Sequence, residues 1–428
     1  MSSPQAHPMG SEFRQGGMSP STGTFSLPTQ RPHANPEAPQ GSPENPELLD
    51  LGLTRRRLAL LMAPPRVDLV QNLRAARALG ITPGHLLRDA LWVARGPGHP
   101  TQHEYFYYCL YDPSLPREEA RRYVGRRVQK KLHHRCNDMR WYAVTQDKAL
   151  FYAAASGFGL PVPRTQAAYS PGARDFAAPV IRTQETLAIF LRDPSHYPLF
   201  LKPIDGIFSL GVLSLAAVES DWIRFTTGEV ARVDEVVRSV DGWGGEGFKK
   251  LGPGYLIQEQ LQPHPVLRAA FGSTLPAIRF LALLSPEGAT IESAVVKIPS
   301  SRNPGDNYWR AGNMLGALDE AGVIRRVVTG VGAALREISV HPETGAALVG
   351  AALPDWERAL QLCLYAAAVF PGIRTQSWDI GLTEAGPVVL ELNYGGDLNL
   401  HQLAHRRGVL TPSYVAHLRR SGCRLKAT

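Results

Sequence analysis

The chain has 428 residues, of which 44% are hydrophobic and 20% are charged. This length is enough for two or three packed units, and the composition is typical of a soluble globular protein. No apolar stretch reaches the roughly 18–20 residues that cross a bilayer, which argues against a membrane-spanning helix. The longest apolar run, around Ala359–Phe370, is interrupted by Gln361 and predicts a buried helix instead.

Positive charge is concentrated near the start of the chain. Residues 51–140 contain 17 Lys or Arg against 7 Asp or Glu, while the whole chain has a net charge of +8. Basic stretches such as Arg126-Arg127 and Lys130-Lys131 indicate an anionic partner or, equally, a solvated helix face. Among anionic partners, nucleic acid is the less favoured one, because few aromatic residues outside Tyr105–Tyr111 lie among the basic residues.

Four cysteines, Cys109, Cys136, Cys363 and Cys423, lie far apart and form no CxxC pair. We therefore expect free thiols in a reducing compartment rather than disulfides or a zinc site. The N-terminus lacks the basic-then-apolar pattern of a secretion signal, so the predicted location is the cytoplasm.

The chain divides into four predicted segments. The first is rich in Pro, Ser, Gly and Gln and is expected to be disordered, and its opening residues resemble a cloning remnant. The second is a basic helical domain, the third is an α+β domain and the fourth is a short tail. In order, the segments are residues 1–50, 51–135, 136–415 (with a lid subdomain at about 195–260) and 416–428.

Helical patterns dominate the second segment and β patterns appear in the third. Val67–Leu79 has apolar residues at helical spacing before a Gly80 cap, and Pro116–Lys131 is predicted to be one helix that begins at a proline. Asp241–Gly254 is predicted to be a mobile loop. Antiparallel strands are predicted at Leu199–Leu201, Val212–Leu215, Tyr255–Gln258, Ile278–Leu284, Ile291–Ile298, Ser377–Leu382 and Val388–Leu392.

Three cationic side chains lie where an anion is needed, whereas Lys148, which opens a predicted helix beside Asp147, would by itself be solvated. Lys202 leaves an apolar strand beneath a glycine-containing loop, an arrangement suited to holding triphosphate oxygens. A plain hairpin turn is the alternative for that loop. Arg279 and Lys297 lie among apolar strand residues, so each must find either a substrate phosphate or a structural carboxylate.

The most informative segment is a predicted hairpin near the C-terminus, whose turn is Glu384–Pro387. Glu391 and Asn393 are two residues apart and therefore share one face of a strand. A turn centred near Ala385 places Asp379 opposite Glu391 on that face. Two carboxylates and an amide oxygen suit Mg²⁺ that carries a nucleotide, and pairing of the carboxylates with arginines is the alternative.

The pattern D-I-G-L followed by G-P-V-V-L-E-L-N, which ends at Asn393, resembles the metal-binding strand pair of ATP-grasp ligases. The wider context is similar to the α-L-glutamate ligase-like branch and to the sugar-transfer-associated ATP-grasp family, over residues 136–415. The resemblance implies an α+β ATP-grasp fold, in which two subdomains grip ATP, preceded by the basic helical domain.

The resemblance also implies individual roles. The run Tyr255–Leu261 would be the hinge that binds adenine through its backbone, with Glu259 as a ribose or adenine contact. The loop after Lys202, which contains Gly206 and Gly211 and would be the phosphate loop, departs from the family form because it lacks adjacent central glycines. The implied nucleotide contacts are Lys148, Lys202, Gly206, Ser209, Gly211, Gln258, Glu259, Gln260, Leu261 and Lys297, and the implied Mg²⁺ ligands are Asp379, Glu391 and Asn393.

A second match concerns Asp306–Gly312, which resembles the Asn–Arg–Gly segment that glutamate ligase-like enzymes place over the reacting phosphate. Ala311 replaces the first of its two glycines. Asn307, Arg310 and Arg279 are the implied catalytic residues, since an arginine would stabilise an acyl phosphate or a tetrahedral adduct.

The implied function is an ATP-dependent carboxylate–amine ligase, with ATP and Mg²⁺ as cofactors. It would form an amide through an acyl phosphate, on small-molecule acid and amine substrates that include glycan- or peptide-linked ones. Two alternatives stay open: an ATP-grasp kinase that phosphorylates a hydroxyl, and a non-catalytic nucleotide-binding module that recruits an anionic partner through residues 51–140.

Overall fold

The computed structural model describes residues 67–206, 209–243, 254–395, 397–423 and 425. The predicted tail 1–50 and most of the predicted loop Asp241–Gly254 lie outside the described residues. None of the described helices is long and apolar enough to cross a membrane. The α-helices are α1 Leu69–Ala78, α2 Pro83–Ala94, α3 Gln102–Tyr107, α4 Arg117–Ala120, α5 Arg126–Cys136, α6 Tyr142–Gln146, α7 Lys148–Gly157, α8 Gln184–Arg192, α9 Val233–Gly242, α10 Pro265–Phe271, α11 Trp356–Val369, α12 Leu398–His405 and α13 Pro412–Arg420.

The described strands form two seven-stranded sheets. They are β1 Thr165–Tyr169, β2 Val180–Ile181, β3 Leu199–Pro203, β4 Leu213–Glu219, β5 Trp222–Phe225, β6 Val230–Arg232, β7 Tyr255–Glu259, β8 Ala277–Ser285, β9 Gly288–Ile298, β10 Met314–Leu318, β11 Ile324–Thr329, β12 Arg336–Glu337, β13 Thr375–Thr383 and β14 Gly386–Tyr394. The first sheet has the order β2-β1-β7-β3-β4-β5-β6 and the second has the order β12-β11-β10-β9-β8-β13-β14. Only the β1–β2 pair is parallel among these strands, so the predicted α+β class is confirmed.

All seven predicted β runs are strands, and seven further strands were missed. Most of the missed strands are short or lie near sheet edges, where packing rather than propensity decides the structure. The central strand β10 was missed because its sequence, Met-Leu-Gly-Ala-Leu, carries no β-branched residue. Gly316 of this strand leaves room for the side chain of Val296 on the neighbouring strand β9, since an added Cβ would lie 2.7 Å from Cγ1 of Val296.

Helix α11 covers one face of the second sheet. Its buried residues pack with Phe280 and Trp378 in the largest hydrophobic core, so the predicted helix is confirmed, but only one face of it is buried and Tyr365 is 52% exposed. Side chains alternate along a strand, so the neighbouring residues of β8, β9 and β13 point to the opposite face. Arg279, Lys297 and Asp379 are on that opposite face.

The N-terminal helices cover this opposite face. Residues of α1–α3 share a core with Val295, Leu315 and Val328 of the second sheet and with helix α12. The predicted helix at Val67–Leu79 is confirmed as α1, and it ends as expected at Gly80, whose φ is 76°. The helical N-terminal segment therefore packs directly on the sheet that carries the charged residues.

The prediction of one helix over Pro116–Lys131 is wrong, because the chain breaks between α4 and α5. Gln402 accepts a hydrogen bond from the Val124 backbone N–H (2.6 Å) and donates one to its carbonyl (3.1 Å). Gly125 lies against the backbone of His99, since an added Cβ would lie 2.8 Å from the His99 carbonyl oxygen. These contacts satisfy the Val124 backbone outside a helix.

The expectation of four free thiols is also wrong. Cys136 and Cys423 form a disulfide, with Cα atoms 6.2 Å apart, while Cys109 and Cys363 are free. The pair is separated by 287 residues, so no local spacing pattern could indicate it. The disulfide ties the end of α5 to the segment after α13.

Candidate active site

The predicted hairpin positions the carboxylates of the candidate site. Strands β13 and β14 pair with Asp379 directly opposite Glu391 and Ser377 opposite Asn393, as predicted. The register at the turn, in which Thr383 pairs with Gly386, would place Asp379 opposite Leu390, and a β-bulge between Asp379 and Ile380 shifts the pairing by one residue. The hairpin therefore presents two carboxylates and an amide on one face.

Asp379 lies at the centre of a buried ion-pair network. Its Oδ1 accepts from Nε of Arg279 (2.7 Å), and its Oδ2 accepts from Arg279 (2.6 Å) and from Nζ of Lys297 (3.0 Å). Burial alone would raise the pKa of Asp379, but the two cations outweigh burial and hold this pKa well below its usual range. The site therefore keeps an ionised carboxylate beneath two cations.

Asp306 and Asp397 extend this network. Lys297 Nζ lies 2.7 Å from Asp306, and Arg279 lies 3.1 Å from Asp397. Sequence reasoning missed both carboxylates, which lie in loops. Asp306 is the first residue of the matched segment Asp306–Gly312, so its position was the available signal.

Two lysines lie on the other side of the hairpin. Lys148 Nζ is 3.4 Å from Glu391 and donates to the Gly206 carbonyl. Lys202 is buried and contacts the hydroxyl of Tyr152. Burial, followed by repulsion from Lys148, lowers the pKa of Lys202 to about 7. The two lysines therefore form a site that gains stability when an anion is bound.

A first cavity of about 160 Å³ lies between the two sheets, beside these lysines. Phe200 and Ser214 of the first sheet line one side, and Leu390 of the second sheet lines the other. Eight of the predicted nucleotide contacts line it: Lys148, Lys202, Gly206, Ser209, Gln258, Glu259, Gln260 and Leu261.

The hinge side chains are partly occupied by protein contacts. Gln258 donates to Thr165 (3.1 Å), and Glu259 accepts from the backbone N–H of Arg164 (3.2 Å). In contrast, the buried Oε1 of Gln260 has no hydrogen-bond partner among the described residues. Gln260 is thus the hinge side chain that is ready to accept a hydrogen bond.

A second cavity of about 630 Å³ lies under the N-terminal helices. The predicted residues Arg279, Lys297, Asn307 and Asn393 line it, together with residues of α5. The two cavities share Gly206, Ser209, Asp306, Asp379 and Glu391. The two cavities therefore adjoin each other at the carboxylates of the hairpin and at Gly206 and Ser209.

Two predicted residues line neither cavity. Gly211 has a φ of 73° and packs against Trp243, since an added Cβ would lie 2.7 Å from its ring. Arg310 donates to the Ser209 carbonyl (3.0 Å), and burial lowers its pKa. In the structure, Arg310 therefore holds the backbone at Ser209, and Gly211 packs against Trp243.

Asn313 is a further site residue that sequence reasoning missed. It is buried, and its Oδ1 accepts from Ser300 (2.9 Å) and Asn303 (2.7 Å), while its Nδ2 donates to the Asn307 carbonyl (2.7 Å). Asn313 thus fixes the loop that places Asn307 and Asp306 at the second cavity. An asparagine next to a strand gave no local signal for this role.

Asp379, Glu391 and Asn393 carry the oxygen donors of a magnesium site, but Arg279 pairs with both oxygens of Asp379, which is the arginine pairing that the sequence left open for this carboxylate. All three line the second cavity, and the buried Nδ2 of Asn393 has no partner among the described residues. Turning the Asn393 side-chain amide over would exchange its oxygen and nitrogen. The unpartnered position could then present the oxygen as a metal ligand. Within the described ranges, no group of three or more His, Cys, Asp or Glu could hold a metal ion, so the fit depends on the amide.

Two sheets that enclose a cavity lined by lysines, a hinge strand and a carboxylate hairpin define the ATP-grasp class of proteins. The family profile of sugar-transfer associated ATP-grasp matches residues 127–415, and this chain belongs to that family. The predicted ATP-grasp fold is thereby confirmed. No curated protein matches the chain.

Solved structures give weaker similarities. The chain is similar to the ATP-grasp ligase PsnB complexed with minimal precursor, at 15% identity and a TM-score of 0.34, covering 66% of this chain and 63% of that one. It is similar to D-alanine–D-alanine ligase from Helicobacter pylori, at 11% identity and a TM-score of 0.36, covering 65% and 60%. It is also similar to biotin carboxylase from Campylobacter jejuni, at 10% identity and a TM-score of 0.39, covering 68% and 49%. The chain therefore spans less than two thirds of each of these proteins.

Proposed function

We propose that the protein is an ATP-dependent ligase that joins a carboxylate to an amine. The observation that carries this proposal is that the two cavities meet at Asp379 and Glu391. A nucleotide in the first cavity and an acceptor in the second would then react at their shared boundary.

The reaction would have two steps. A carboxylate oxygen of the acid attacks the γ-phosphorus of ATP, so that ADP leaves and an acyl phosphate forms. The amine nitrogen then attacks the acyl carbon, loses a proton and expels inorganic phosphate. Such chemistry depends on positioning and on charge stabilisation, and it needs no protein nucleophile.

The chain's own residues would supply that stabilisation. Lys148 and Lys202 would hold phosphate oxygens in the first cavity, and Arg279 would face the charge that develops on the acceptor side. Asp379, Glu391 and Asn393 would hold Mg²⁺, which neutralises phosphate charge when it is bound. Arg310 would act through the Ser209 carbonyl, as a positioning residue.

Release of ADP and of free phosphate tests the proposal. A ligase releases both only when an acid and an amine are present together, whereas a kinase releases ADP alone. Glu391→Gln should reduce this turnover by about 100-fold or more, since it removes charge at the reacting centre. Glu384→Gln is the matched control, because Glu384 lies on the turn of the same hairpin and pairs only with Arg268, at 3.7 Å, among the described residues.

The possible outcomes separate the alternatives. Phosphate held on the product would indicate the kinase, and ADP binding without turnover would indicate the non-catalytic module. Equal loss of activity in the Glu384 and Glu391 variants would contradict the proposed site.

A further inference from the structure

Helix α5 turns part of the basic N-terminal segment into a wall of the second cavity. Its lining residues recur every three or four positions, which is the spacing of one helix face. They are Arg126, Gln129, Lys130, His133 and His134. At about 1.5 Å per residue, this face extends for roughly 12 Å along the cavity.

The opposite face of α5 fixes the helix in place. Leu132 and Cys136 are buried in a core with Leu281, Leu398 and Tyr414, and Cys136 forms the disulfide with Cys423. The lining face is therefore carried on a helix that is packed along its length and tied at its end.

The two cations on this wall have no protein counter-charge. Neither Arg126 nor Lys130 forms an ion pair among the described residues. In contrast, each carboxylate that lines the second cavity has a cation within 3.4 Å: Asp306 has Lys297, Asp379 and Asp397 have Arg279, and Glu391 has Lys148. Arg126 and Lys130 are exposed to solvent on the cavity wall, so their charges are accessible to a ligand in the second cavity.

One buried polar group of the wall also lacks a partner. Nε2 of His133 is buried without a hydrogen bond among the described residues, and His133 lines the cavity. His133 is 4% exposed. Burial, followed by His134, lowers the pKa of His133 to about 3, so it is a neutral hydrogen-bonding group. Unpartnered buried polar groups are costly unless a ligand completes them.

We infer that Arg126 and Lys130 bind an anionic group of the acceptor substrate, a carboxylate or a phosphate that does not itself react. This inference rests on the proposed ligase function and adds the charge class of the acceptor. The reacting group would lie at Asp379 and Glu391, while the second, anionic group would lie against α5.

The test compares probes that differ in charge. Glucosamine 6-phosphate and aspartate carry an amine and an extra anionic group, and glucosamine and asparagine are the counterparts that lack this extra anionic group. Binding of each probe to the full chain saturated with Mg·ADP is measured by calorimetry at low salt. At least one anionic probe should bind about tenfold more tightly than its counterpart, and added salt should weaken that binding. Which of the two binds identifies phosphate or carboxylate as the recognised group.

Neighbouring cations on the same helix provide matched controls. Arg126→Gln and Lys130→Gln should each weaken binding of the anionic probe about tenfold, whereas Arg127→Gln and Lys131→Gln should not, because Arg127 and Lys131 do not line the cavity. Three outcomes would overturn the inference: equal effects at all four positions, equal affinity for the anionic probes and their counterparts, or no binding of either anionic probe. ADP binding is measured first in the same samples. Loss of ADP binding would count against the proposed function, whereas loss of probe binding alone would count against this inference.

Discussion

The first and second cavities are built in different ways. The first lies between the two sheets and receives most of its polar contacts from residues that follow recognisable strands and loops, in chain order. The second depends on residues brought together over long sequence distances, including a helix from the N-terminal segment. Both cavities draw residues from distant parts of the chain, from Lys148 to Glu391 in the first and from Arg126 to Leu400 in the second, but the second also depends on how the N-terminal helices pack on the second sheet.

A change at the shared boundary should disable both cavities and have the largest effect. Asp379→Asn leaves Arg279 and Lys297 buried without their main counter-charge. We expect the free energy of unfolding to fall by about 3–5 kcal/mol, and turnover by about 100- to 1000-fold. Urea denaturation and single-turnover ADP release would measure the two effects.

The control for this change is Asp397→Asn. Asp397 also pairs with Arg279, but its side chain is 32% exposed, so its loss should cost much less. Equal destabilisation by the two variants would show that the network does not centre on Asp379.

A change in the first cavity should affect the nucleotide alone. Because the pKa of Lys202 is lowered to about 7, this lysine is largely neutral above that pH in the free protein. Bound phosphate would raise the pKa again, so binding should take up a proton between pH about 7 and the usual lysine value of about 10.4, and ADP affinity should fall as the pH rises through this range.

Calorimetry in buffers of different ionisation enthalpy measures this uptake directly. Lys202→Met should abolish the uptake and weaken ADP binding by about tenfold or more, without changing the affinity of acceptor probes. Proton uptake that persists in the variant would assign the titration to another group.

A change in the second cavity should leave the nucleotide unaffected and have the smallest effect. A Cβ at Gly395 would lie 2.2 Å from the ring of His133. Gly395→Ala should therefore displace the α5 wall, lower the free energy of unfolding by about 1–3 kcal/mol and weaken acceptor binding, with unchanged ADP affinity.

Gly350→Ala separates the clash from backbone strain. Gly350 has a φ of 89°, close to the 83° of Gly395, but no atom lies within 4 Å of its added Cβ. Acceptor binding should survive in this control. If both variants bind acceptor probes normally, His133 does not shape the wall.

The sequence predicts some of these features and not others for physical reasons. The hairpin itself could be predicted, but its register from the turn outward would place Asp379 opposite Leu390, and the β-bulge that moves the partner to Glu391 has no local signal in the sequence. The side chains of Arg279 and Lys297 were recognised as needing anions. Their actual partners could not be identified, since the order of β9, β8 and β13 depends on packing between segments about 100 residues apart.

The N-terminal segment shows the same limit. Its basic character and helical pattern are evident, but its charge alone could not distinguish a solvated face from a binding wall. The break before α5 depends on Gln402, which lies 278 residues from Val124. Only the fold reveals which of the adjacent cations on α5 line the cavity.

The disulfide has a practical consequence for handling the protein. Residues after Thr411 include Tyr414 and Leu418, which are fully buried, and Cys423, which is bonded to the end of α5. Shortening the chain there, or keeping it in strong reductant, would loosen the helix that carries Arg126 and Lys130. Purification tags and truncations near the C-terminus are therefore best judged by acceptor affinity rather than by nucleotide binding.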